Sequence, residues 1–422
     1  MKNIKKSILN NKSLVENFSY LSLLQAFNLV LPLLSYPYLI RVLGTTIYGK
    51  IIFAQAIIGY LTLLVGFGFS ITATKEISIH RKNKKKISEI VSSVLVIKVL
   101  LLFFSFFFFL PFFFFFNQVS ENKILYIMTL WLCIYEIFFP VFYFQGIEKM
   151  KYISIITLIV RCLFVALIFV FIRNESDYLY VPLLNLSGTI LAGLASMYII
   201  FYKHKIRFYF PELKVLKYYF KESIPVFLSN ISIQIYVSTN KVLIGSFLGM
   251  TEVSYYDLGE KILNILRIPQ GIISQSVFPK ISLEKNISFI KKTFNYSLAF
   301  NFVLFLLLVV FSDAIIKILG GQEMLPAKGV VILLGLTLPI VAISNVFGTL
   351  VMIPFGMNKL FSKIIMFSGV IFIIQFLFLW ILNLITIYTL CIITVITELF
   401  VSFLMYYYCK KNNLWTIKST TI

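Results

Sequence analysis

Histidine and acid are what this 422-residue chain has least of: two histidines, and 17 Asp and Glu against 38 Lys and Arg. His80 and His204 sit in separate basic loops, which leaves little material for a histidine-based metal or catalytic site. Four cysteines, Cys133, Cys162, Cys391 and Cys409, are scattered through or at the ends of apolar runs with no CxxC spacing, so they read as packing residues. Charged residues make up only 13% of the sequence, hydrophobic ones 59%, and the mean hydropathy is +0.93. No soluble globular domain has that balance, and the chain is an integral membrane protein. The first apolar run, about 17 to 40, is long enough to span and lacks a small-residue cleavage pattern behind it. The amino terminus is therefore expected to be retained.

A span needs about 20 apolar residues. Twelve stretches meet that requirement, at roughly 17 to 40, 47 to 71, 91 to 116, 123 to 144, 152 to 172, 178 to 202, 223 to 249, 260 to 281, 293 to 312, 329 to 354, 360 to 381 and 384 to 408. Loops on the side of the two termini hold roughly four times as many Lys and Arg as the opposite loops, which puts both termini in the cytoplasm. The net charge of +21 then records topology and contact with anionic lipid, and needs no nucleic acid to explain it. The basic loop "KEISIHRKNKKKISEI" (75 to 90) fits a cytoplasmic membrane anchor between two spans, and "FFSFFFFLPFFFFF" (103 to 116) is low-complexity sequence compatible with lipid.

The long basic loop 203 to 222 separates an amino-terminal half, 1 to 202, from a carboxy-terminal half, 223 to 422. "VLGTTIYGK" (42 to 50) and "FLGMTEVSY" (247 to 255) align Leu43 and Gly44 with Leu248 and Gly249, and the same offset sets Lys75 against Lys280. These matches suggest an internal duplication. Two six-helix halves with an even number of crossings are parallel repeats, related by a pseudo-two-fold along the membrane normal, with a cleft between two lobes. The expected fold is thus an all-α integral membrane protein of twelve transmembrane helices in two lobes.

Polar residues recur at helical spacing inside these spans. Glu260, Asn264, Arg267, Gly271 and Ser274 share one face; Asn230, Gln234, Ser238 and Lys241 mark the preceding span; Gln25, Asn28, Pro32 and Ser35 mark the first. Such residues face a bundle interior or a hydrated cavity, because a charge at mid-bilayer costs roughly 2.5 to 3.5 kcal/mol on insertion scales. Arg161, near mid-span, suits either a cavity or a buried pair with Glu136 or Glu398. Lys241 and Arg267, in the outer third of adjacent helices, suit a cavity or snorkelling. Lys98, about two turns from the cytoplasmic surface, divides evenly between the two. Asp257 and Glu260 fall at the external mouth, where a solvated end is the favoured reading. The small residues of "GTILAGLAS" (188 to 196) point to helix packing.

The chain resembles the polysaccharide biosynthesis flippases of the MATE-like superfamily, in particular the Wzx-type O-antigen repeat-unit flippases. The resemblance runs through "LPLLSYPYLIRVLGTTIYG" (31 to 49), "GFGFSITATKEIS" (66 to 78), "FQGIEKMK" (144 to 151), "FPKIS" (278 to 282) and "SNVFGTLVMIPFGMNK" (344 to 359). It implies movement of an undecaprenyl-pyrophosphate-linked oligosaccharide to the outer leaflet of the bacterial inner membrane through a cationic lumen. It also implies no cofactor, and as partners the lipid-linked glycan, the bilayer, a polysaccharide polymerase and a chain-length regulator. Arg161, Lys241, Arg267 and Lys98, with Arg41, would then compensate the pyrophosphate charge. Asn230, Gln234, Asn264, Gln25 and Asn28 would meet sugar hydroxyls. Glu136 and Glu398, with Asp257 and Glu260, are the coupling or ion-pair candidates. Two rival readings are a cation-coupled multidrug exporter of the same superfamily and a membrane-embedded polymerase or glycosyltransferase. The first wants acidic membrane residues, here outnumbered by basic ones; the second wants a sizeable external loop, and the longest here is about 313 to 328.

Overall fold

The computed structural model describes residues 12 to 115 and 117 to 415, and Gln25 and Asn28 lie among the amino-terminal side chains that fall outside the described residues. Among the described residues every regular element is helical. That follows from the solvent, since a backbone crossing lipid must satisfy each N–H and C=O within itself, as helices do.

The helices are α1 Lys12–Gly66, α2 Phe69–Ile79, α3 Lys84–Phe115, α4 Lys123–Thr129, α5 Trp131–Phe138, α6 Val141–Gly146, α7 Met150–Phe171 and α8 Tyr180–Met197. They continue as α9 Leu213–Phe247, α10 Met250–Leu266, α11 Ile268–Glu284, α12 Ile287–Gly320, α13 Lys328–Gly335, α14 Thr337–Ser344, α15 Asn358–Ile381 and α16 Ile387–Lys411. Wider π turns extend α8 over Tyr198–Lys203 and α14 over Asn345–Met352. Nine stretches of the described residues are long and apolar enough to cross a membrane. The first, Leu31–Ile79, runs through two of the spans expected from the sequence, because α1 continues across a break at Gly44. Helix α9 and the pair α10 and α11, which cover the expected spans 223 to 249 and 260 to 281, are not among the nine. Their polar stripes lower their mean hydropathy.

The chain divides into two compact units, up to Asn230 and from Ile231 onward. The division falls inside α9, whose first turns occupy the latter part of the basic segment 203 to 222. In the first unit, the expected span 123 to 144 is three short helices, broken after Leu130 and at Phe139–Pro140. Pro140 has no N–H to give the carbonyl of Glu136 four residues back. Lys98 Nζ on α3 takes that carbonyl at 2.8 Å, and Ser196 Oγ on α8 takes the carbonyl of Phe138 at 2.8 Å. Small residues let α8 approach: a Cβ on Gly193 would lie 2.9 Å from Phe138 Cβ, and one on Gly188 2.7 Å from Val160 Cγ1. The sequence 188 to 196 thus serves helix packing, as its spacing suggests.

In the second unit, Phe347 and Leu350 of the π turn, Ile281, Ile290, Met405 and Cys409 form a buried apolar cluster, with Trp415 packed against it. Outward surfaces are apolar too, with Phe107 and Val310 more than two-thirds exposed, the reverse of a soluble protein and natural against lipid tails. Gly44 (φ 72°, ψ 164°) and Gly249 (φ 141°, ψ 173°), the two glycines aligned by the duplicated motif, both break a helix in backbone regions that only glycine occupies readily.

Replacing Gly249 by alanine adds a Cβ 2.9 Å from Glu252 Oε2 at positive φ, whereas a Cβ on Gly271, within α11, meets nothing within 4 Å. Gly249→Ala is expected to lower stability by about 1–3 kcal/mol, and Gly271→Ala to leave it unchanged or raise it by about 0.5–1 kcal/mol. Thermal unfolding in detergent micelles checks the contrast, and equal midpoints would remove the backbone account of this junction.

Candidate functional site

Within the second unit, α9, α10 and α16 bring the polar stripes together. Lys241 on α9 reaches Asp257 Oδ1 at 2.8 Å and Glu260 Oε2 at 2.7 Å on α10, and Lys261 closes on the other oxygen of Asp257. Two cations and two anions leave the cluster neutral. Removing ions from water is costly, so a group like this persists only where each charge keeps a partner at hydrogen-bond distance. Beside it, Asn240 Nδ2 donates to Tyr256 Oη at 2.8 Å and to Thr394 Oγ1 at 2.7 Å, tying α9 to α10 and α16.

The expectation of a solvated Asp257 at an external mouth is corrected here: its side chain is 4% exposed. The reason is the helix start. With the break at Gly249, α10 begins at Met250, so Asp257 lies two turns inside a helix, where the lysine on each side offsets its desolvation. Lys241 does not snorkel either, since its ammonium is held between two carboxylates.

One helical turn further on, the stripe lines a cavity of about 90 Å³, enough for a few water molecules. Its polar wall is Glu260, Asn264 and Arg267 from α10 and the junction that follows it, Thr337 from α14, and Thr394 and Glu398 from α16. Arg267 is the hinge residue between α10 and α11, followed by Pro269, which has no N–H to carry the helix ladder across. Its Nη2 donates to Thr337 Oγ1 at 2.7 Å, while its Nε is buried without a hydrogen-bond partner. Among the described residues no carboxylate lies within 4 Å of it. Glu398 acts on Arg267 across the cavity through space. Arg267 is therefore a cation held by a neutral hydroxyl, with donor capacity left over.

Beyond the bend, a second network is neutral. Asn301 Nδ2 donates to Gln270 Oε1 at 2.9 Å, Gln270 Nε2 lies 3.4 Å from both Ser274 Oγ and Asn345 Oδ1, and Ser274 bonds to Asn345. It joins α11, α12 and the π turn after α14. Gln270, Asn301 and Asn345 are outside the stripes read from the sequence, and only their position opposite one another in the fold reveals the network. The stripe Glu260, Asn264, Arg267, Gly271 and Ser274 is thus split after Arg267: Glu260, Asn264 and Arg267 line the cavity, and Ser274 is buried in this network.

In the first unit, Lys98 is 2% exposed and bonds Glu136 Oε1 at 2.6 Å as well as the Glu136 carbonyl, with the Phe142 ring centroid 5.4 Å away. Glu136 thus belongs to Lys98. Arg161 on α7 is exposed in the first unit and interacts electrostatically with Tyr135 of α5. Arg41 is exposed beside the Gly44 break, and Asn230 and Gln234 are half-buried on α9. Among the described residues no group of three His, Cys, Asp or Glu is arranged to hold a metal ion.

The family model described as "Polysaccharide biosynthesis protein" matches residues 14–283, and the chain belongs to that family. It is 26% identical over 368 residues, 86% of this chain and 89% of the relative, to a "Putative O-antigen transporter" of Escherichia coli (strain K12). A protein of the same description from Shigella dysenteriae is 24% identical over 362 residues, 84% of this chain and 90% of its own. Among solved structures the fold matches "Lipid II flippase MurJ, inward closed conformation" with a TM-score of 0.75 at 16% identity, covering 92% of this chain and 87% of that one. It also matches an inward-facing multidrug resistance MATE family transporter of the MOP superfamily, with a TM-score of 0.70 at 15% identity over 96% of this chain and all of the other. The chain has that MATE-like fold and is a multi-pass protein of the bacterial inner membrane.

Lys241→Met leaves two carboxylates sharing one ammonium, with Glu260 stranded, and is expected to cost about 3–5 kcal/mol. Lys241→Met with Glu260→Gln leaves Asp257 facing Lys261 as a balanced pair and should recover most of that loss. Thermal unfolding of the purified variants reads both values, and a silent Lys241→Met would show that charge pairing does not hold α9 to α10.

Proposed function

We propose that this member of the polysaccharide biosynthesis protein family is a lipid-linked oligosaccharide flippase rather than an enzyme. Its cargo is an undecaprenyl-pyrophosphate-linked repeat unit of O-antigen or a related glycan, moved from the cytoplasmic to the periplasmic leaflet by alternating access through a cationic central cavity. In this reading twelve crossings form two six-helix lobes, 1 to 202 and 223 to 422, joined by the basic linker 203 to 222, with both termini in the cytoplasm. A polymerase and a chain-length regulator take up the exported unit.

The observation that carries the proposal is Arg267: a permanently charged guanidinium on a cavity wall, bound to a hydroxyl instead of a carboxylate, at a helix bend. The relatives named as O-antigen transporters, matched over most of both chains, supply the glycan class. A pyrophosphate bearing a glycan cannot cross hydrocarbon unaided, and a planar fork of N–H donors suits its oxygens. Arg267, Arg161 and Arg41 are the residues we assign to charge compensation. Asn264, Asn230 and Gln234, with Gln25 and Asn28, are those we assign to sugar hydroxyls. Lys98 and Lys241 are already neutralised by carboxylates and would contribute to the path chiefly by holding helices in place. Glu398, facing Arg267 across the cavity, is our candidate for coupling to an ion gradient; transport in vesicles that ignores both proton and sodium gradients would remove that role.

Deletion in the source bacterium is expected to abolish surface glycan and trap the lipid-linked unit on the cytoplasmic leaflet. Wild-type chain should restore export, while Arg267→Glu and Arg161→Glu, present in the membrane at wild-type level, should not. Surface glycan on gels and sidedness of the precursor are the readouts. Normal glycan in either variant would end that residue's assignment, and unchanged glycan in the deletion with altered drug sensitivity would favour a multidrug exporter.

A further inference from the structure

A second concentration of positive charge lies in the first unit, where the loop before α7 meets the end of α8. His204 follows the π turn Tyr198–Lys203. Its Nδ1 is 2.8 Å from the Tyr143 hydroxyl on α6, and Lys84, at the start of α3, donates to its backbone carbonyl at 3.3 Å. The Tyr152 ring, in the first turn of α7, stands edge-on to the imidazole at 5.7 Å. Over the same tyrosine ring sit the ammonium groups of Lys203 at 5.5 Å and Lys151 at 5.7 Å. Lys149 occupies the position capping α7 and interacts electrostatically with His204.

Two features separate this group from an ordinary basic loop. The first is the lack of compensation. Among the described residues no carboxylate comes within 4 Å of Lys84, Lys149, Lys151 or Lys203. The nearest acid in sequence, Glu148, is held by Arg81, and α7 carries no acidic residue in its first turn. Lys151 and Lys203 rest on an aromatic face instead, a weaker partner than an anion.

The second feature is His204 itself. Its Nε2 is buried without a hydrogen-bond partner. Burial first, then Lys149, Lys203 and Lys84, push its pKa down to about 4, so the imidazole is neutral at neutral pH. In the tautomer in which the Tyr143 hydroxyl donates to Nδ1, the ring proton resides on Nε2, which leaves a buried N–H donor unused. A buried donor with no acceptor is costly, and the surrounding potential selects the sign of what would satisfy it.

We propose that Lys84, Lys149, Lys151, Lys203 and His204 form a binding site for a phosphate-bearing anion. Lysine ammonium groups supply the charge, and the imidazole Nε2–H supplies a directed hydrogen bond at the base. Two sources share this chemistry: the headgroup of an anionic phospholipid, and a free polyphosphate. The site shares no residue with the cavity assigned to cargo, so its existence does not depend on what the protein carries.

The test uses the full-length chain purified in neutral detergent. Its thermal unfolding midpoint is followed while phosphatidylglycerol, phosphatidylcholine or inorganic pyrophosphate is titrated in. Stabilisation by phosphatidylglycerol over phosphatidylcholine identifies a lipid headgroup, and stabilisation by pyrophosphate a soluble source. The triple variant Lys149→Gln, Lys151→Gln, Lys203→Gln should require at least tenfold more of the effective anion, with an unchanged midpoint in its absence. The Lys149→Arg, Lys151→Arg, Lys203→Arg variant should retain the response, and His204→Phe should weaken it. As a control for net charge, Lys214→Gln, Lys217→Gln, Lys221→Gln, on the exposed face of α9, should behave as wild type. No stabilisation by either anion, or equal losses in the two Lys→Gln triples, would overturn the proposal.

Discussion

A charge that leaves water inside a membrane protein must find its opposite close by, and that constraint organises both units. Lys241 between Asp257 and Glu260, and Lys98 against Glu136, are its two clearest instances. Each pair links two helices that lipid alone would not hold together, because hydrocarbon tails compete for apolar surfaces as well as leucine does. Pairing also divides the intramembrane cations into two kinds. Lysines with carboxylate partners fasten helices, and the cavity arginine has a hydroxyl partner instead.

The same groups meet the chain where it is least regular. Lys98 bonds the carbonyl that Pro140 leaves open, the Lys241 cluster ties together the two helices on either side of the Gly249 break, and Arg267 is itself the joint between α10 and α11. Breaks in spanning helices survive only when side chains replace the lost backbone bonds. Here the replacements are polar residues on neighbouring helices, so a change in helix direction and a change in polar partners are one event. A transporter that exposes a site first to one side and then to the other needs joints of this kind, where the alternative arrangements differ by a few hydrogen bonds.

Fold alone does not choose the cargo. One superfamily architecture serves a lipid II flippase and a multidrug transporter among the structural neighbours, and site chemistry must separate them. A drug cation would favour unpaired acids on the cavity wall. In this chain Glu260 is engaged by Lys241, and Glu398 stands opposite an arginine. Neither acid on the wall is without a basic neighbour.

Composition and periodicity by themselves determined that the chain is helical and membrane-bound, and that polar faces run along α9, α10 and α11. They also singled out Gly44 and Gly249, because a helix break that only glycine tolerates leaves the same mark in both halves. These properties are local: hydropathy over about 20 residues, spacing of three or four, one backbone conformation. Only the tertiary structure decided which charges meet. Asp257 looked like a solvated end until a helix starting at Met250 placed it between Lys241 and Lys261, and Glu136 was open to Arg161 until α3 brought Lys98 to it. Gln270, Asn301 and Asn345 come from three separate segments of the chain, and no spacing within one helix brings them together. The ion pairs Lys241–Asp257 and Lys98–Glu136 join residues 16 and 38 positions apart and amide contacts join residues 31 to 75 apart; helical spacing says which face a side chain takes, whereas a partner on another helix is chosen by how the helices pack.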